Sequence, residues 1–339
     1  MSNEQRNERN ANTTNPNTTG AQGMASEPVI SVRDLTVSFA SEAGTVHAVR
    51  GMNFDLYPGK TLGIVGESGS GKSTTLMEIM AFKQPQDGEI EMFGTKLEHK
   101  MPREKRRELR SSVQYVFQDP MSSLDPRLPI YDILAEPMKV QHYSKEQIRE
   151  RIGELMRLVE LNPDQVDRFP TQFSGGQRQR IAIARALSVN PQLVLLDEPV
   201  FALDVSIQAG VINLLEDLQN KLGVAYLFVA HNLSVVRHIS SRVAVMYLGQ
   251  IVELGSAAQV LGEPRHPYTR LLLDSVPRTG EPLDETLALR KTELPGNRRL
   301  PEGCFFRDRC PMAAQGCERP QPLQPSREGR DVRCWRSLG

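Results

Sequence analysis

Residues 66–73 constrain this chain of 339 residues more than any other stretch does. Their sequence, GESGSGKS, follows an apolar run at residues 61–65 and precedes a helix-like stretch at residues 74–80. The spacing matches the pattern G-x-x-x-x-G-K-[ST], which is typical of a glycine-rich loop between a strand and a helix. The sequence therefore predicts a strand, a phosphate-binding loop and a helix, in that order.

Each residue type in this loop suits a phosphate group. Gly66, Gly69 and Gly71 carry no Cβ atom, so successive backbone N–H groups can turn towards an anion. The start of the following helix adds the positive end of its dipole. Lys72 would then reach the outer phosphates, and Ser73 would hold a magnesium ion. A glycine-rich turn without a ligand is the alternative interpretation of the loop taken alone.

Composition narrows the class of protein. Lysine and arginine together number 41, as do aspartate and glutamate, so no overall field favours nucleic acid or an anionic surface. The four cysteines all lie beyond residue 300, which is too few and too local for a secreted disulfide scaffold. No apolar run approaches the roughly 18 residues needed to span a bilayer. We therefore expect a cytoplasmic chain, without a signal peptide, whose membrane role would come through partners.

The residue pattern divides the chain into three parts. Residues 1–27 are rich in Asn, Thr, Gly and Gln and offer little to bury, so we expect disorder there. Alternating strand-like and helix-like runs over 28–272 indicate an α/β domain with a parallel sheet, an antiparallel β layer and a helical insert at about 119–175. Proline, glycine and arginine dominate beyond about residue 275, so a compact sheet is not expected in the extension at 273–339.

Two helix-like runs make more detailed predictions. The basic run at residues 100–110 invites a nucleic-acid interpretation, but interleaved glutamates favour a solvated helix face. In the run at residues 144–161, Ser144 and Gln147 have the spacing of a capping box. We therefore predict that Ser144 caps the start of a helix in this run.

Two acidic residues, Asp197 and Glu198, end the apolar run at residues 193–196. At a nucleotide site the first carboxylate can hold magnesium, because hard oxygen ligands suit that ion. The second can polarise an attacking water. A solvated strand end is the alternative, and two acids after four apolar residues make it less favoured.

A second glycine pair precedes another helix-like run. Ser174, Gly175, Gly176 and Gln177 could simply cap that helix. They could also form a second anion cradle, since exposed N–H groups and a hydroxyl at a helix start suit a phosphate. Two cradles in one chain suggest that two chains share each nucleotide.

Taken in their order along the chain, the motifs resemble those of the ATP-binding subunits of ABC transporters, over roughly residues 28–270. Residues 66–73 resemble the Walker A loop, residues 193–197 the Walker B strand, and residues 174–177 the family signature. The resemblance implies the fold of a P-loop NTPase. It also implies that two such domains pair head to tail, with the signature of one closing on the ATP held by the other.

Further residues take on roles only through this resemblance. Gln118 stands where the family has its Q-loop glutamine, residues 202–204 resemble the D-loop, His231 matches the switch histidine, and Phe39 is placed like the aromatic residue that stacks on adenine. The residues expected to bind ATP are thus Phe39, Gly66, Ser68, Gly69, Gly71, Lys72, Ser73, Thr74, Ser174, Gly175, Gly176 and Gln177.

The resemblance also implies a mechanism of ATP hydrolysis. Ser73, Asp197 and Gln118 would serve the magnesium ion, with Gln118 linking it to the transporter contact. Glu198 would orient the attacking water, and His231 would support that water and the γ-phosphate. Most of the rate enhancement would come from positioning and charge neutralisation. ATP-driven closure and later opening would drive the attached membrane subunits.

One pair of residues departs from the family pattern. Val200 and Phe201 stand where this branch usually has Thr-Ser, between the Walker B acids and the D-loop. Two small polar residues are thus replaced by apolar ones near the expected dimer seam, which puts the D-loop geometry in question. Because Glu198 is intact, we still predict hydrolysis.

The C-terminal part resembles the extension of ABC ATPases that transport oligopeptides and dipeptides, beginning at residues 264–269. It holds four cysteines, Cys304, Cys310, Cys317 and Cys334. Four nearby thiolates can bind zinc or an iron–sulfur cluster. They lack the short C-x-x-C pairs of zinc ribbons, and the family extension is associated with a [4Fe–4S] cluster, which we favour over zinc and over no metal.

This branch of the family implies several partners. They are a homologous ATPase subunit, two transmembrane permeases and an extracytoplasmic solute-binding protein, without nucleic acid, at the cytoplasmic face of the membrane. The expected function is ATP-driven import of di- or oligopeptides. The alternatives are an importer of nickel or another small solute, and a soluble ABC ATPase of DNA repair or translation. The latter would predict tandem ATPase domains or a strongly basic face.

Overall fold

The computed structural model describes residues 27–42, 44–119, 123–275, 300–325 and 328–338. The predicted disorder at residues 1–27 therefore lies outside the described residues, apart from Glu27. Much of the first half of the expected C-terminal extension lies outside them as well.

A four-stranded antiparallel layer has the order β2-β1-β4-β5. Its strands are β1 (Ile30–Ser41), β2 (Gly44–Leu56), β4 (Asp87–Met92) and β5 (Thr95–Lys96). The apolar alternation predicts two strands here, at residues 29–32 and 35–39, where the structure has the single strand β1. The pairing register shifts between Val32 and Leu35, and Asp34 takes a positive φ of 48°, so a bulge absorbs the break in the pattern.

The second sheet has the order β11-β12-β10-β9-β3-β8-β7-β6 among the described residues. Its strands are β3 (Thr61–Val65), β6 (Val113–Val116), β7 (Leu193–Asp197), β8 (Ala225–Ala230), β9 (Arg242–Tyr247), β10 (Gln250–Ser256), β11 (Gln324–Pro325) and β12 (Asp331–Val332). The pairing from β6 to β9 is parallel, so the carboxyl ends of β3, β7 and β8 share one edge of the sheet. Every residue of these three strands is buried, as expected for strands covered on both faces.

Helices cover the parallel sheet and form the insert that the sequence predicts. The helices are α1 (Lys72–Met80), α2 (Arg103–Ser112), α3 (Ile130–Val140), α4 (Lys145–Leu158), α5 (Gly175–Leu187), α6 (Val205–Leu222), α7 (Leu233–Ile239), α8 (Ala257–Gly262) and α9 (Pro267–Asp274). The capping box of Ser144 and Gln147 is confirmed at the start of α4. No helix in the described ranges is long and apolar enough to span a bilayer.

The end of the chain returns to the main sheet through two strands of two residues each, a return that the expected lack of a compact sheet beyond about residue 275 did not include. Strand β12 pairs with β10, and β11 pairs with β12. A buried ion pair fastens this return, because Arg330 Nε donates to Glu253 Oε1 at 3.0 Å and both residues are at most 1% exposed. The same carboxylate accepts the backbone N–H groups of Arg265 and His266, which satisfies its remaining lone pairs.

Candidate nucleotide site

The loop at residues 66–71 lies between β3 and α1, and at two of its glycines the backbone of other segments approaches too closely for a side chain. A Cβ atom on Gly66 would lie 2.2 Å from the carbonyl oxygen of Met246, and one on Gly71 would lie 2.1 Å from that of Ala48. Gly71 also has a φ of 104°, in a region that L-residues rarely adopt. These glycines are therefore required by the close backbone approach as well as by any ligand.

Lys72 begins α1 and lies under the loop. Only 5% of Lys72 is exposed, and its Nζ donates to the carbonyl oxygens of Gly66 at 2.9 Å and Glu67 at 3.1 Å. Burial lowers the pKa of Lys72, while the carboxylates of Glu198 and Asp197 oppose that shift. The lysine is thus held at the loop by carbonyl groups, with a positive charge available to an anion.

Asp197 sits at the end of β7 with a donor on each carboxylate oxygen. Ser73 Oγ donates to Oδ1 at 3.0 Å, and the Tyr115 hydroxyl donates to Oδ2 at 2.7 Å. Burial and the neighbouring Asp197 raise the pKa of Tyr115, so the phenol stays protonated and keeps donating. A hydroxyl and a carboxylate are hard oxygen ligands of the kind that Mg²⁺ prefers, so Ser73 and Asp197 fit that ion.

The sequence analysis missed Tyr115 as a site residue. Tyr115 lies within β6, which pairs with β7 in the parallel sheet, and this pairing brings its side chain to Asp197. A tyrosine between the buried valines Val113 and Val116 of a short strand was the available signal. Its partner could be assigned only once the strand order was known.

Glu198 follows Asp197, and its side chain lies close to the two other residues assigned to catalysis. Gln118 Nε2 donates to Glu198 Oε2 at 3.2 Å, and His231 Nδ1 lies 3.4 Å from the same oxygen. Glu198 has a positive φ of 45°, and its N–H donates to the Val229 carbonyl at 2.9 Å. A left-handed conformation is costly for a non-glycine residue, and here the bond to β8 helps to hold it.

A pocket of about 550 Å³ collects most of the residues predicted to bind ATP. Its lining is Phe39, Val46, Ala48, Ser68, Gly69, Gly71, Lys72, Ser73, Thr74, Gln118, Glu198, Phe201 and His231. The structure thus brings together the predicted aromatic, loop and catalytic residues. Gly66 lies behind this lining, and Asp197 reaches it through Ser73.

Phe201 lines this pocket although the sequence analysis considered it only as a departure near a dimer seam. Its ring packs edge-on against His231, with 4.9 Å between the ring centroids. Val200 is buried in the core, whereas Phe201 remains 54% exposed. Val200 is therefore a core residue, whereas Phe201 lies beside the predicted switch histidine.

The signature residues are separate from the residues that line this pocket. Ser174 Oγ accepts the N–H of Gln177 at 3.3 Å, and the Gln177 side chain accepts the Ser174 N–H at 2.9 Å. A Cβ atom on Gly176 would lie 2.5 Å from Ile207 of α6. The signature therefore begins α5 as a capping box packed beside α6, and its predicted contact with nucleotide would require another chain.

The four cysteines are free thiols. Cys304 N–H donates to the Cys317 carbonyl at 2.9 Å, and Trp335 Nε1 donates to Cys317 Sγ at 3.4 Å. Burial raises the pKa of Cys310 to about 11 and also raises the pKa values of Cys304 and Cys334. Within the described ranges, no group of three or more Cys, His, Asp or Glu residues is arranged to hold a metal ion. The donor type fits a thiolate-ligated metal, but the arrangement is not that of an assembled site.

Together, the glycine-rich loop, the buried lysine and the serine–aspartate pair define a P-loop nucleotide-binding protein. Comparison with protein families matches residues 49–201 to the ABC transporter family and residues 252–317 to the oligopeptide/dipeptide transporter C-terminal region. The chain belongs to the ABC transporter family, among its ATP-binding subunits. Membership implies ATP and Mg²⁺ as ligands of the pocket and ATP hydrolysis as the activity.

Related proteins match the chain over most of its length. The probable D,D-dipeptide transport ATP-binding protein DdpF of Escherichia coli K12 is 50% identical over 321 residues, covering 92% of this chain and all of the relative. The oligopeptide transport ATP-binding protein OppF of the same strain is 44% identical over 319 residues, covering 90% and 95%. These alignments therefore reach beyond the nucleotide-binding core.

Solved structures confirm the fold. cbiO1 from Clostridium perfringens, part of the ABC transporter complex cbiONQ, has a TM-score of 0.63 at 26% identity, covering 70% of this chain and 92% of that chain. The dimeric ABC cassette MJ0796, bound to ADP and Pi, has a TM-score of 0.60 at 28% identity, covering 67% and 98%. The predicted α/β fold of an ABC ATPase is thus confirmed for the core.

Proposed function

We propose that this chain is the ATP-hydrolysing subunit that powers import of di- or oligopeptides through a membrane ABC transporter. The observation that carries the proposal is the match to dipeptide and oligopeptide transport ATP-binding proteins over almost the whole chain. The match of residues 252–317 to the C-terminal region of such proteins supports the peptide branch in particular. A nickel or small-solute importer and a nucleic-acid ATPase are less well supported, since the relatives reported above transport peptides.

ATP binding at this pocket would rest on charge and on shape. The loop glycines carry no side chains, and Lys72 lies beside them, where its charged Nζ donates to the Gly66 carbonyl. Phe39 lines the pocket and is half exposed, so its ring is available for the adenine base. Ser73 and Asp197 would hold Mg²⁺, which neutralises charge on the phosphates.

Hydrolysis would centre on the Glu198 carboxylate. Its Oε2 already has Gln118 and His231 within 3.4 Å, which limits the directions open to the side chain. We propose that Glu198 accepts a hydrogen bond from the attacking water and aligns it with the γ-phosphorus. His231 would support this water and the γ-phosphate, and the Phe201 ring would limit the movement of the imidazole.

A second ATPase subunit would complete each nucleotide site. Ser174, Gly175 and Gly176 lie outside the pocket lining, so in our proposal they close on the nucleotide of a head-to-tail partner. Two permease subunits and an extracytoplasmic solute-binding protein would complete the importer. The ATPase would then work peripherally, at the cytoplasmic face of the membrane.

A Glu198→Gln variant tests the catalytic assignment. The amide has nearly the same shape but cannot accept a proton, so turnover by the assembled transporter should fall about 10²- to 10⁴-fold. Binding of ATP should persist, because the loop and Lys72 are unchanged. Steady-state phosphate release and equilibrium nucleotide binding measure the two effects. The exposed Glu98→Gln is the matched control, and unchanged turnover in Glu198→Gln would refute the assignment.

We further propose that the four cysteines hold a [4Fe–4S] cluster. Support comes from four free thiols within one folded segment and from the Trp335 N–H that points to the Cys317 sulfur. No step of ATP hydrolysis is assigned to the cluster. Anaerobically purified protein should contain four irons per chain and absorb in the visible range, and Cys317→Ser should reduce both. Stoichiometric zinc without iron would refute the cluster.

A further inference from the structure

Arg309 of the cysteine-bearing segment reaches the phosphate-binding loop. Its Nη1 lies 2.8 Å from Glu67 Oε2 and its Nη2 lies 2.9 Å from Glu67 Oε1, so the two side chains form a two-pronged ion pair. Glu67 is the second residue of the loop and is 242 positions away in sequence. A bidentate pair fixes direction as well as distance, because both side chains are planar.

Arg309 is buried against two aromatic rings, which makes its ion pair with Glu67 costly to break. The residue is 3% exposed, and its guanidinium lies over the rings of Tyr247 and Phe306 at 5.7 Å and 5.9 Å from their centroids. Tyr247 adds a weaker hydrogen-bond contact at 3.4 Å. Breaking the ion pair would leave a buried charge without its carboxylate, which is strongly unfavourable.

A second contact from the C-terminal part holds the backbone of the same loop residue. The N–H of Glu67 donates to the Tyr268 hydroxyl at 3.0 Å, and Tyr268 is fully buried. On the other side, the Glu67 carbonyl accepts Lys72 Nζ at 3.1 Å. The polar groups of Glu67 are therefore engaged by Arg309, Tyr268 and Lys72, which leaves this end of the loop one well-defined position.

We propose that Arg309 is a positioning residue for ATP binding, which acts through Glu67 on the phosphate-binding loop. The affinity for ATP would then depend on the folded cysteine segment, although none of the described residues of that segment lines the nucleotide pocket. This inference rests on the proposed function of the pocket as an ATP site. It predicts that damage to the segment weakens nucleotide binding before it unfolds the core.

Equilibrium titration of the full chain with a fluorescent ATP analogue and Mg²⁺ tests the inference. Arg309→Met should weaken binding about tenfold, within the range of roughly 5- to 150-fold typical of coupled sites. Arg309→Lys should recover part of the affinity, since lysine keeps the charge but loses the fork. The matched control is Arg307→Met, because the Arg307 side chain pairs at 3.4 Å with its neighbour Asp308, and its loss should leave affinity within twofold of wild type.

A double-mutant comparison distinguishes two roles of Arg309. It could position the phosphate-binding loop through Glu67, or it could only attach the C-terminal segment to the core. Glu67→Gln alone should weaken binding, and adding Arg309→Met should cause little further loss, because both changes break the same contact. Hydrogen exchange of the loop at residues 66–71 should accelerate in Arg309→Met, while exchange in α4 stays unchanged. Should Arg309→Met fail to fold, Glu67→Gln and Arg309→Lys carry the same comparison.

The outcomes distinguish the inference from the proposed function. Wild-type affinity in Arg309→Met, or additive losses in the double variant, would overturn the positioning role while leaving the ATP site intact. Failure of the wild-type chain to bind the analogue would overturn the ATP site, and the inference with it.

Discussion

Two helix starts, those of α1 and α5, both carry glycines and were both predicted to meet a phosphate. Gly71 precedes α1, and among the described residues no side chain caps that helix start. At α5, Ser174 and Gln177 cap each other's backbone in a complete capping box. The first start is thus without a side-chain cap beside the pocket, whereas at the second start side chains already engage the backbone N–H groups of Ser174 and Gln177.

The two helix N-termini differ in whether an existing side-chain hydrogen bond must break before a phosphate can bind. Four N–H groups at a helix start lack partners within the helix, and at α1 they can go to a ligand without breaking a side-chain bond. At α5 the Ser174 hydroxyl already accepts the N–H of Gln177. We therefore expect the single chain to bind ATP through α1, and the signature to contribute only when a partner presents its nucleotide.

The largest effect on this comparison should come from Lys72→Met. Removing the ammonium group takes away a charge-assisted contact to phosphate worth roughly 1.5–3 kcal/mol, or about a 10- to 100-fold loss of affinity. Titration of the single chain with a fluorescent ATP analogue measures this. The exposed Lys60→Met serves as control and should bind normally. Equal binding by Lys72→Met and wild type would mean that α1 is not the phosphate site.

A third helix start, that of α9, adds a pH-dependent case. His266 caps α9 by accepting the Tyr268 N–H at Nδ1, and burial lowers the pKa of His266 to about 3. The unfolded chain binds a proton near pH 6.5, whereas the folded chain does not, so stability should fall as pH drops from about 6.5 towards 3. The slope should approach about 1.4 kcal/mol per pH unit.

Denaturant unfolding at pH 7 and pH 5 measures this slope. His266→Asn keeps a capping oxygen but cannot titrate in this range, so its stability should depend less on pH than that of wild type. The exposed His99→Asn controls for a general loss of histidine. Identical pH slopes for His266→Asn and wild type would show that the buried imidazole does not limit acid stability.

The smallest effect should come from Ser174→Ala. Loss of the cap should cost about 1 kcal/mol of stability, while ATP binding by the single chain stays within twofold. Ser144→Ala is a close match, because Ser144 and Gln147 form the same box at α4. Hydrolysis by the assembled transporter should fall only in Ser174→Ala. Equal rates of hydrolysis in Ser174→Ala and Ser144→Ala would refute the proposed role of Ser174 at a partner's nucleotide.

Sequence patterns predicted much of the core correctly. The sequence pattern predicts strands at residues 61–65 and 225–230 and a helix at residues 130–140, and all three have these bounds in the structure. Their bounds are predictable because apolar periodicity and breaker residues act locally. The pattern failed at β1, where a bulge joins two apparent strands, and it gave no sign of the short strands β11 and β12 that extend the sheet. Two-residue strands carry too little periodicity to be recognised from sequence.

The sequence by itself determined the phosphate-binding loop, the lysine at its end and the paired acids at a strand end. These features are local, since their backbone geometry is set by neighbouring residues. Tertiary structure alone decided that Tyr115 meets Asp197 across 82 residues and that Arg309 meets Glu67 across 242. Such pairs depend on strand order and on the return of the chain end to the sheet. The loop that looked self-contained in sequence is therefore held from the opposite end of the chain.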